Sequence, residues 1–443
     1  MTATPPVVPS IMDPDLIADP AGGYGQLREQ APVLHGRAPD GSAAWFVTRQ
    51  ADVRTVLSDP RFVNSARSVP GITVDSVRDK MIEQVGIPAD VAHYFADSIL
   101  DYDGEDHSRL RKLVSRAFTV RRVGALRPRV EQITAGLLGR MAGMPEPVDL
   151  IAEFAYPLPI TVICELVGVA EEDRPEWHRW STALMRMQPG AVGPAAREMV
   201  DHVRGQIARR RAEPAADLLS ALVQVQEEDG DRLSADELVT MVITLVIAGH
   251  ETTAHLIGNA TLALLTHPDQ LALLRDDPGR WPVAVHELMR WCGPVHIARM
   301  RYAAQDVELG GVTIRQGEVV QPVLVSANRD PREYSDATGW TSRGSRPAAA
   351  RGTSGSATAS TTASARRWPG RRGKWRCGRS SNGSPGSRSQ ATSPSGRRCR
   401  GCDASPGSRC GRSSRSRKLG AVAVRTRSAS GIAPEPDVVN SLR

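Results

Sequence analysis

The sequence predicts a mainly α-helical protein with a small β domain. Three observations predict it. Apolar residues recur at helical spacing through most of residues 1–337. One run, residues 238–265, is apolar nearly all round, which is the pattern of a buried helix. Strand-like stretches are few and short, at residues 45–47 and 307–320.

The elements follow in order. Residues 1–13 are proline-rich without a basic leader, so no signal peptide is expected. Residues 24–30 read as a short helix, 45–47 as a strand and 51–57 as a helix that Asp59-Pro60 stops. Residues 61–100 read as irregular, with scattered apolar residues, as in a lid or binding loop. A helix opens near Asp103 and carries His107 and Arg111, four apart on one face, where both can donate to one anion. Leu126, Val130, Ile133 and Leu137 mark another helix. Residues 149–167 are apolar and helical, interrupted at Pro157 and Pro159. Two polar helices, split near Pro189-Gly190, fill 171–213, and a further helix covers 216–226 before the Asp229-Gly230 turn.

The long central helix comes next. Ser234 with Glu237 makes a capping-box start, and His267-Pro268 makes a stop. Thr244 interrupts its apolar run, which therefore falls short of a membrane span. Its middle reads Ala248-Gly249-His250-Glu251-Thr252-Thr253. Gly249 costs about 1 kcal/mol relative to alanine, and in return lets a flat ligand approach the backbone. Thr252 can bond back to the Ala248 carbonyl, and Glu251 beside it is a candidate proton relay. A helix from Pro282 carries Glu287 and Arg290, three apart and able to pair. Residues 307–314 make a hairpin around Gly310-Gly311, 319–320 extend the sheet, and residues 328–331 turn.

Charge divides the chain in two. From Thr338 onward stand 22 Lys+Arg against 3 Asp+Glu, and residues 1–337 carry 34 against 46. The first part, 1–337, is an acidic globular body. The second, 338–443, is Arg/Ser/Gly-rich, poor in large apolar residues and expected to be disordered. Six scattered cysteines suit free thiols in a reducing cytoplasm, and no metal site is expected in the body.

From Asp13 to Ala337 these motifs resemble the cytochrome P-450 family of haem-thiolate monooxygenases, of the soluble bacterial kind. Residues 248–253 resemble its oxygen-binding signature, Glu287 to Arg290 its Glu-x-x-Arg pair, and His107 to Arg111 its His-x-x-x-Arg. Arg301 matches a third propionate ligand, with Arg299 as the weaker match, and Asn328-Arg329-Asp330-Pro331 also fits. The resemblance implies the P-450 prism fold, haem b lying against Ala248 and Gly249, and His107, Arg111 and Arg301 on its propionates. It implies Thr252 and Glu251 as the catalytic hydroxyl and acid. It also implies a small apolar substrate such as a secondary-metabolite scaffold, dioxygen, and electrons from NAD(P)H through a reductase and a ferredoxin. No membrane or nucleic-acid partner is expected.

One departure is large. The family's Phe-Gly-x-Gly-x-His-x-Cys-x-Gly, whose cysteine ligates iron, is absent, and Cys377, Cys399, Cys402 and Cys410 lack its surroundings. A shifted reading frame accounts for this. With one base lost after the Ala337 codon, residues 338–346 read back as DRLDVTREP and 353–369 as HLGFGHGIHYCLGAPLA. The cysteine codon straddles Thr362 and Ala363. Third bases are free, but Trp340 and Trp368 end in G, which forces Asp and Ala at the next slots, and both fit. The restored frame also places an arginine at Gly344 as third partner of Glu287–Arg290, so the pair is expected to be undersatisfied as written. Two other readings stand beside this one. A genuine tail could bind a polyanion, or a metal through Cys399-x-x-Cys402. The body could be a haem-free binding protein for a small apolar ligand.

Overall fold

Caps and prolines set the N-terminal helices. The computed structural model describes residues 9–117, 120–228 and 233–344. Asp13 and Asp19 each accept a backbone N–H just ahead of a first-turn proline, which starts α1 (Pro14–Ala18) and α2 (Pro20–Gln30). β1 (Val33–Arg37) and β2 (Ala43–Val47) pair antiparallel, with α3 (Gln50–Ser58) behind them. The stretch expected to be irregular holds β3 (Phe62–Val63), α4 (Val77–Gln84) and α5 (His93–Ala96). Ser76 caps α4 through the Asp79 N–H, a local signal that the scattered apolar pattern obscures.

α6 (Gly104–Ala117), α7 (Val120–Ala125) and α8 (Arg127–Ala142) follow. A π turn at Ile151–Ala155 leads into α9 (Pro157–Val167). Pro157 and Pro159 therefore sit in a first turn, where a missing N–H breaks no helical bond. α9 stops at Gly168, whose φ of 100° is left-handed. α10 (Arg174–Met185) and α11 (Val192–Ala212) divide near Gly190 as expected. They are less polar than they read, because Trp177, Trp180, Met199 and Val203 are buried. α12 (Leu218–Glu228) comes next, and the Asp229-Gly230 turn lies outside the described residues.

α13 (Ala235–Thr266) is continuous over 32 residues. Its capping box is complete: the Glu237 N–H donates to Ser234 Oγ at 3.0 Å and the Ser234 N–H to Glu237 Oε2 at 2.7 Å. By length and composition α13 is apolar enough to cross a membrane, contrary to the sequence expectation. Its place at the centre of the helical core, against residues of α6, α9, α10, α11 and α12, accounts for that composition. α14 (Pro268–Asp276) and α15 (Trp281–Cys292) follow.

β4 (Arg301–Ala303), the hairpin of β5 (Val307–Leu309) and β6 (Val312–Ile314), β7 (Val319–Pro322) and α16 (Leu324–Ala327) complete the named elements. The main sheet runs β1-β2-β7-β4-β3, with β2 and β7 parallel and Trp45 opposite Val320. The molecule is thus mostly α with a small β part, as the sequence predicts. Residues 338–344 belong to the basic segment, yet they pack. Trp340 is buried against Ala263 and Leu288, and the Ser342 N–H donates to Gln270 Oε1 at 2.9 Å. The expectation of an unstructured segment from Thr338 onward therefore fails for residues 338–344. Residues 345–443 lie outside the described residues.

Candidate functional site

The middle of α13 carries two chemically different faces. Ala248 and Thr252, one turn apart, are both exposed. The Thr252 hydroxyl donates to the Ala248 carbonyl at 3.0 Å, and Thr253 to the Gly249 carbonyl at 3.1 Å. Both are back-bonds of the expected kind, and neither breaks the helix. Ile247 beside them lines a cavity of about 730 Å³, with Ile87, Phe95, Leu184 and Ile297.

Gly249 has a different reason from the one the sequence suggests. A Cβ there would meet Ile163 Cγ1 at 3.0 Å and Cδ1 at 3.1 Å. The missing side chain lets α13 approach α9, and its site faces that helix rather than an open surface.

Glu251 turns to the other face and is 3 % exposed. Its Oε2 accepts from Tyr156 Oη at 2.6 Å. His250 Nε2 lies 3.6 Å from Oε1 and His255 Nε2 3.5 Å from Oε2. Burial pushes this carboxyl up, but the adjacent His250 ring and the bond from Tyr156 outweigh it and hold it below the usual carboxylate range. Burial and the Glu251 bond raise the Tyr156 phenol. His178, on α10, packs edge-on to Tyr156 at 5.0 Å, and burial pushes its imidazole down. Adjacency in sequence therefore does not join Glu251 to Thr252, since successive helical residues point about 100° apart. Sequence reasoning missed Tyr156, His178 and His255. Histidines at 250 and 255 bracketing a buried acid were a usable signal.

The candidate cations are His107 in the first turn of α6, Arg111 one turn further along it, and Arg301 on β4. Asp103 accepts from the Asn64 and Ser65 N–H groups at 2.8 and 2.9 Å, tying the head of α6 to β3, which pairs with β4. Its carbonyl accepts from the His107 N–H, and its charge acts on Arg301 of β4. Burial nonetheless pushes Arg301 below the usual arginine range, and among the described residues its guanidinium donates only a long bond, 3.5 Å, to the Met300 carbonyl. His107 is half-buried and Arg111 exposed. Arg299 is committed elsewhere: it pairs with Asp101, which Arg78 also approaches at 3.3 Å. Burial and those neighbouring arginines push Arg299 down to about 9.

Glu287 and Arg290 form the buried pair expected of them, at 2.6 Å. The expectation of an undersatisfied pair is overturned. Arg290 Nε and Nη2 grip Glu287, Nη1 donates to the Asn328 carbonyl at 2.7 Å and the Ala337 carbonyl at 3.3 Å, and Nη2 donates to the Gly339 carbonyl at 2.8 Å. Backbone carbonyls do what a third side chain was expected to do.

The sequence pattern of the family Cytochrome P450 matches residues 194–277 and 282–341. The chain is 47 % identical over 317 residues to the 6-deoxyerythronolide B hydroxylase of Saccharopolyspora erythraea, covering 71 % of this chain and 76 % of that one. The chain belongs to the cytochrome P450 family. It is also 42 % identical over 321 residues to the mycinamicin IV hydroxylase/epoxidase of Micromonospora griseorubida, covering 72 % and 77 %. Among solved structures it superposes on the Bacillus subtilis bacillaene polyketide synthase cytochrome P450 PksS with a TM-score of 0.66 and 33 % identity, over 74 % of this chain and 80 % of that one. It is a monooxygenase by family, and the family implies haem.

The residues of this P450 fit half of a haem site. Arg301, half-buried and with no carboxylate bonded to it among the described residues, suits an anion such as a propionate, and His107 and Arg111 stand one turn apart on α6. Ala248 and Thr252 offer an open helix face. The two described cysteines do not supply a thiolate. Burial pushes Cys164, inside the core, up to about 12 and Cys292 up to about 11. Cys377, Cys399, Cys402 and Cys410 lie outside the described residues.

Proposed function

We propose that the body of this P450 inserts one oxygen atom from dioxygen into a small apolar substrate of the polyketide kind, in the cytoplasm. Electrons would come from NAD(P)H through a reductase and a ferredoxin. The observation that carries the reading is the open Ala248–Thr252 face of α13 beside a cavity lined by Ile87, Phe95, Leu184, Ile247 and Ile297. Its volume, about 730 Å³, suits a drug-sized apolar molecule. The relatives named for 6-deoxyerythronolide B, mycinamicin IV and a polyketide synthase support the substrate class.

Arg301, His107 and Arg111 would hold the haem propionates, with Ala248 against the ring. Bound there, haem supplies the activation of dioxygen and the transfer of one atom to a C–H or C=C bond. Thr252 gives its own proton to the Ala248 carbonyl, so its oxygen keeps lone pairs free to accept from a donor on the open side. Ile87, Phe95, Leu184, Ile247 and Ile297 give that side apolar walls, next to the charged Asp101, Asp103 and Arg299 of the same cavity.

We further propose that the chain as written is inactive because its reading frame shifts after Ala337. The family match ends at residue 341, close to that point. A gene with one base added after codon 337 should yield a protein whose reduced carbon monoxide complex shows the haem-thiolate absorbance band. Replacing the cysteine encoded across Thr362 and Ala363 by alanine should abolish it. A band from the unaltered chain overturns the frameshift, and no band from the restored one overturns the haem reading.

A further inference from the structure

His250 has one nitrogen whose valence the fold fills and one that it leaves open. Its side chain is wholly buried. Nδ1 lies 2.7 Å from the Val246 carbonyl. A carbonyl oxygen only accepts, so Nδ1 carries a hydrogen. In the neutral ring Nε2 would then be a bare lone pair. Nε2 is buried, has no hydrogen-bond partner, and faces Glu251 Oε1 at 3.6 Å. Two acceptors would thus confront each other in an interior that screens poorly.

The surroundings do not relieve this. Tyr156 donates its only hydrogen to the other oxygen of Glu251. His178 approaches from α10 and stacks on Tyr156 rather than bonding the acid. Arg186, just beyond α10, acts on Tyr156 and His178 only through its charge. His255 lies 3.5 Å from Oε2 and is 49 % exposed. These four are the titratable and charged groups that face the pair among the described residues.

We infer that His250 and Glu251 hold one proton between them, carried on Nε2 beside the ionised carboxylate, and form a net-neutral pair that reaches solvent through His255. The proton comes from water through the half-exposed imidazole and leaves the pair net neutral. On the haem reading the pair is a proton store on the face of α13 turned away from Thr252, and no bond joins it to that hydroxyl among the described residues. His250 is a positioning residue that acts through Glu251, and its role rests on that reading only for its use, not for its existence.

The experiment reads the proton directly and needs no haem. Histidine-specific ¹⁵N labelling of the full chain should show one buried imidazole with a protonated Nδ1. Its Nε2 should also be protonated at neutral pH, and the infrared spectrum should show no protonated carboxyl that Glu251→Gln removes. In Glu251→Gln the side-chain amide can donate to Nε2, and the same imidazole should revert to a singly protonated ring. A bare Nε2 together with an ionised Glu251 overturns the proposal. His250→Gln identifies the signal. If the chain as written gives no folded spectrum, the base-restored protein carries the same measurement. There a doubly bare pair alongside a normal carbon monoxide band overturns this inference and leaves the haem reading intact.

Discussion

Two buried acid–base pairs of this body are finished differently. On α15, Glu287 and Arg290 use every donor of the guanidinium, two on the carboxylate and three on backbone carbonyls. On α13, Glu251 and His250 leave a buried nitrogen without a partner. A pair with every valence filled can only hold structure together. A pair with one valence open can gain or lose a proton without tearing its surroundings. The first lies between α15 and the turn after α16, and the second lies in the helix that walls the cavity.

Removing Glu287 should produce the largest effect. Glu287→Ala leaves the Arg290 charge buried with only carbonyls around it, at a cost of about 3–5 kcal/mol. Little or no folded protein should be recovered, as judged by soluble yield and a thermal scan. Recovery at parental yield would place the pair among ordinary surface contacts.

The second pair should yield less. Tyr156→Phe removes the hydroxyl that serves Glu251 Oε2 and should cost about 1–3 kcal/mol in urea unfolding. The pH dependence gives a sharper reading. Glu251 is held below its unfolded value, so it contributes stability at neutral pH that is lost as pH falls through its folded value. Tyr156→Phe should raise that folded value and shrink the loss. An unchanged acid limb would remove Tyr156 from the pair.

Gly249→Ala tests which side of α13 the glycine serves. The helix gains about 1 kcal/mol of propensity, but the methyl group meets Ile163 at 3.0 Å. The net change should be small and destabilising, and haem content in the base-restored protein should not change. Lost haem with normal stability would return Gly249 to the open face. Thr252→Ala should have the smallest effect on stability, within about 0.5 kcal/mol, as for an exposed side chain. In the base-restored protein it should still consume NAD(P)H but release peroxide in place of product. Undiminished product per NAD(P)H would remove Thr252 from the chemistry.

What the sequence made legible was local. Ser234, Glu237, His267 and Pro268 marked both ends of α13 because caps and stops act within a few residues. Glu287 and Arg290 showed as partners because three residues bring them onto one helix face. Short elements without sustained periodicity did not show: β3 has two residues and α5 four. The contact between Tyr156 and Glu251 spans 95 residues, and no spacing rule reaches that far. The direction of Gly249 was misread for a related reason. Sequence gives the order of side chains around a helix but not which of them faces a neighbour. That is set by where the helix docks, here by Ile163 on α9. Satisfaction of Arg290 by carbonyls was illegible because backbone oxygens leave no trace in residue type.

The capping box of α13 has a further consequence if the helix is regarded as a screw. Glu237 closes the box and also binds Arg109 of α6, so the thread is pinned at its head. Each residue below advances it by about 100° and 1.5 Å. One residue inserted between Met241 and Ile247 would leave the pin in place and turn everything beneath it by one step. Glu251 would come round to the angle Thr252 now holds, and Gly249 would take the angle of His250. The carboxylate would face the open side, the hydroxyl would turn away from it, and the proton pair would be lost, with no residue of the motif altered. In this helix the rotational phase is as much a part of the site as its six letters.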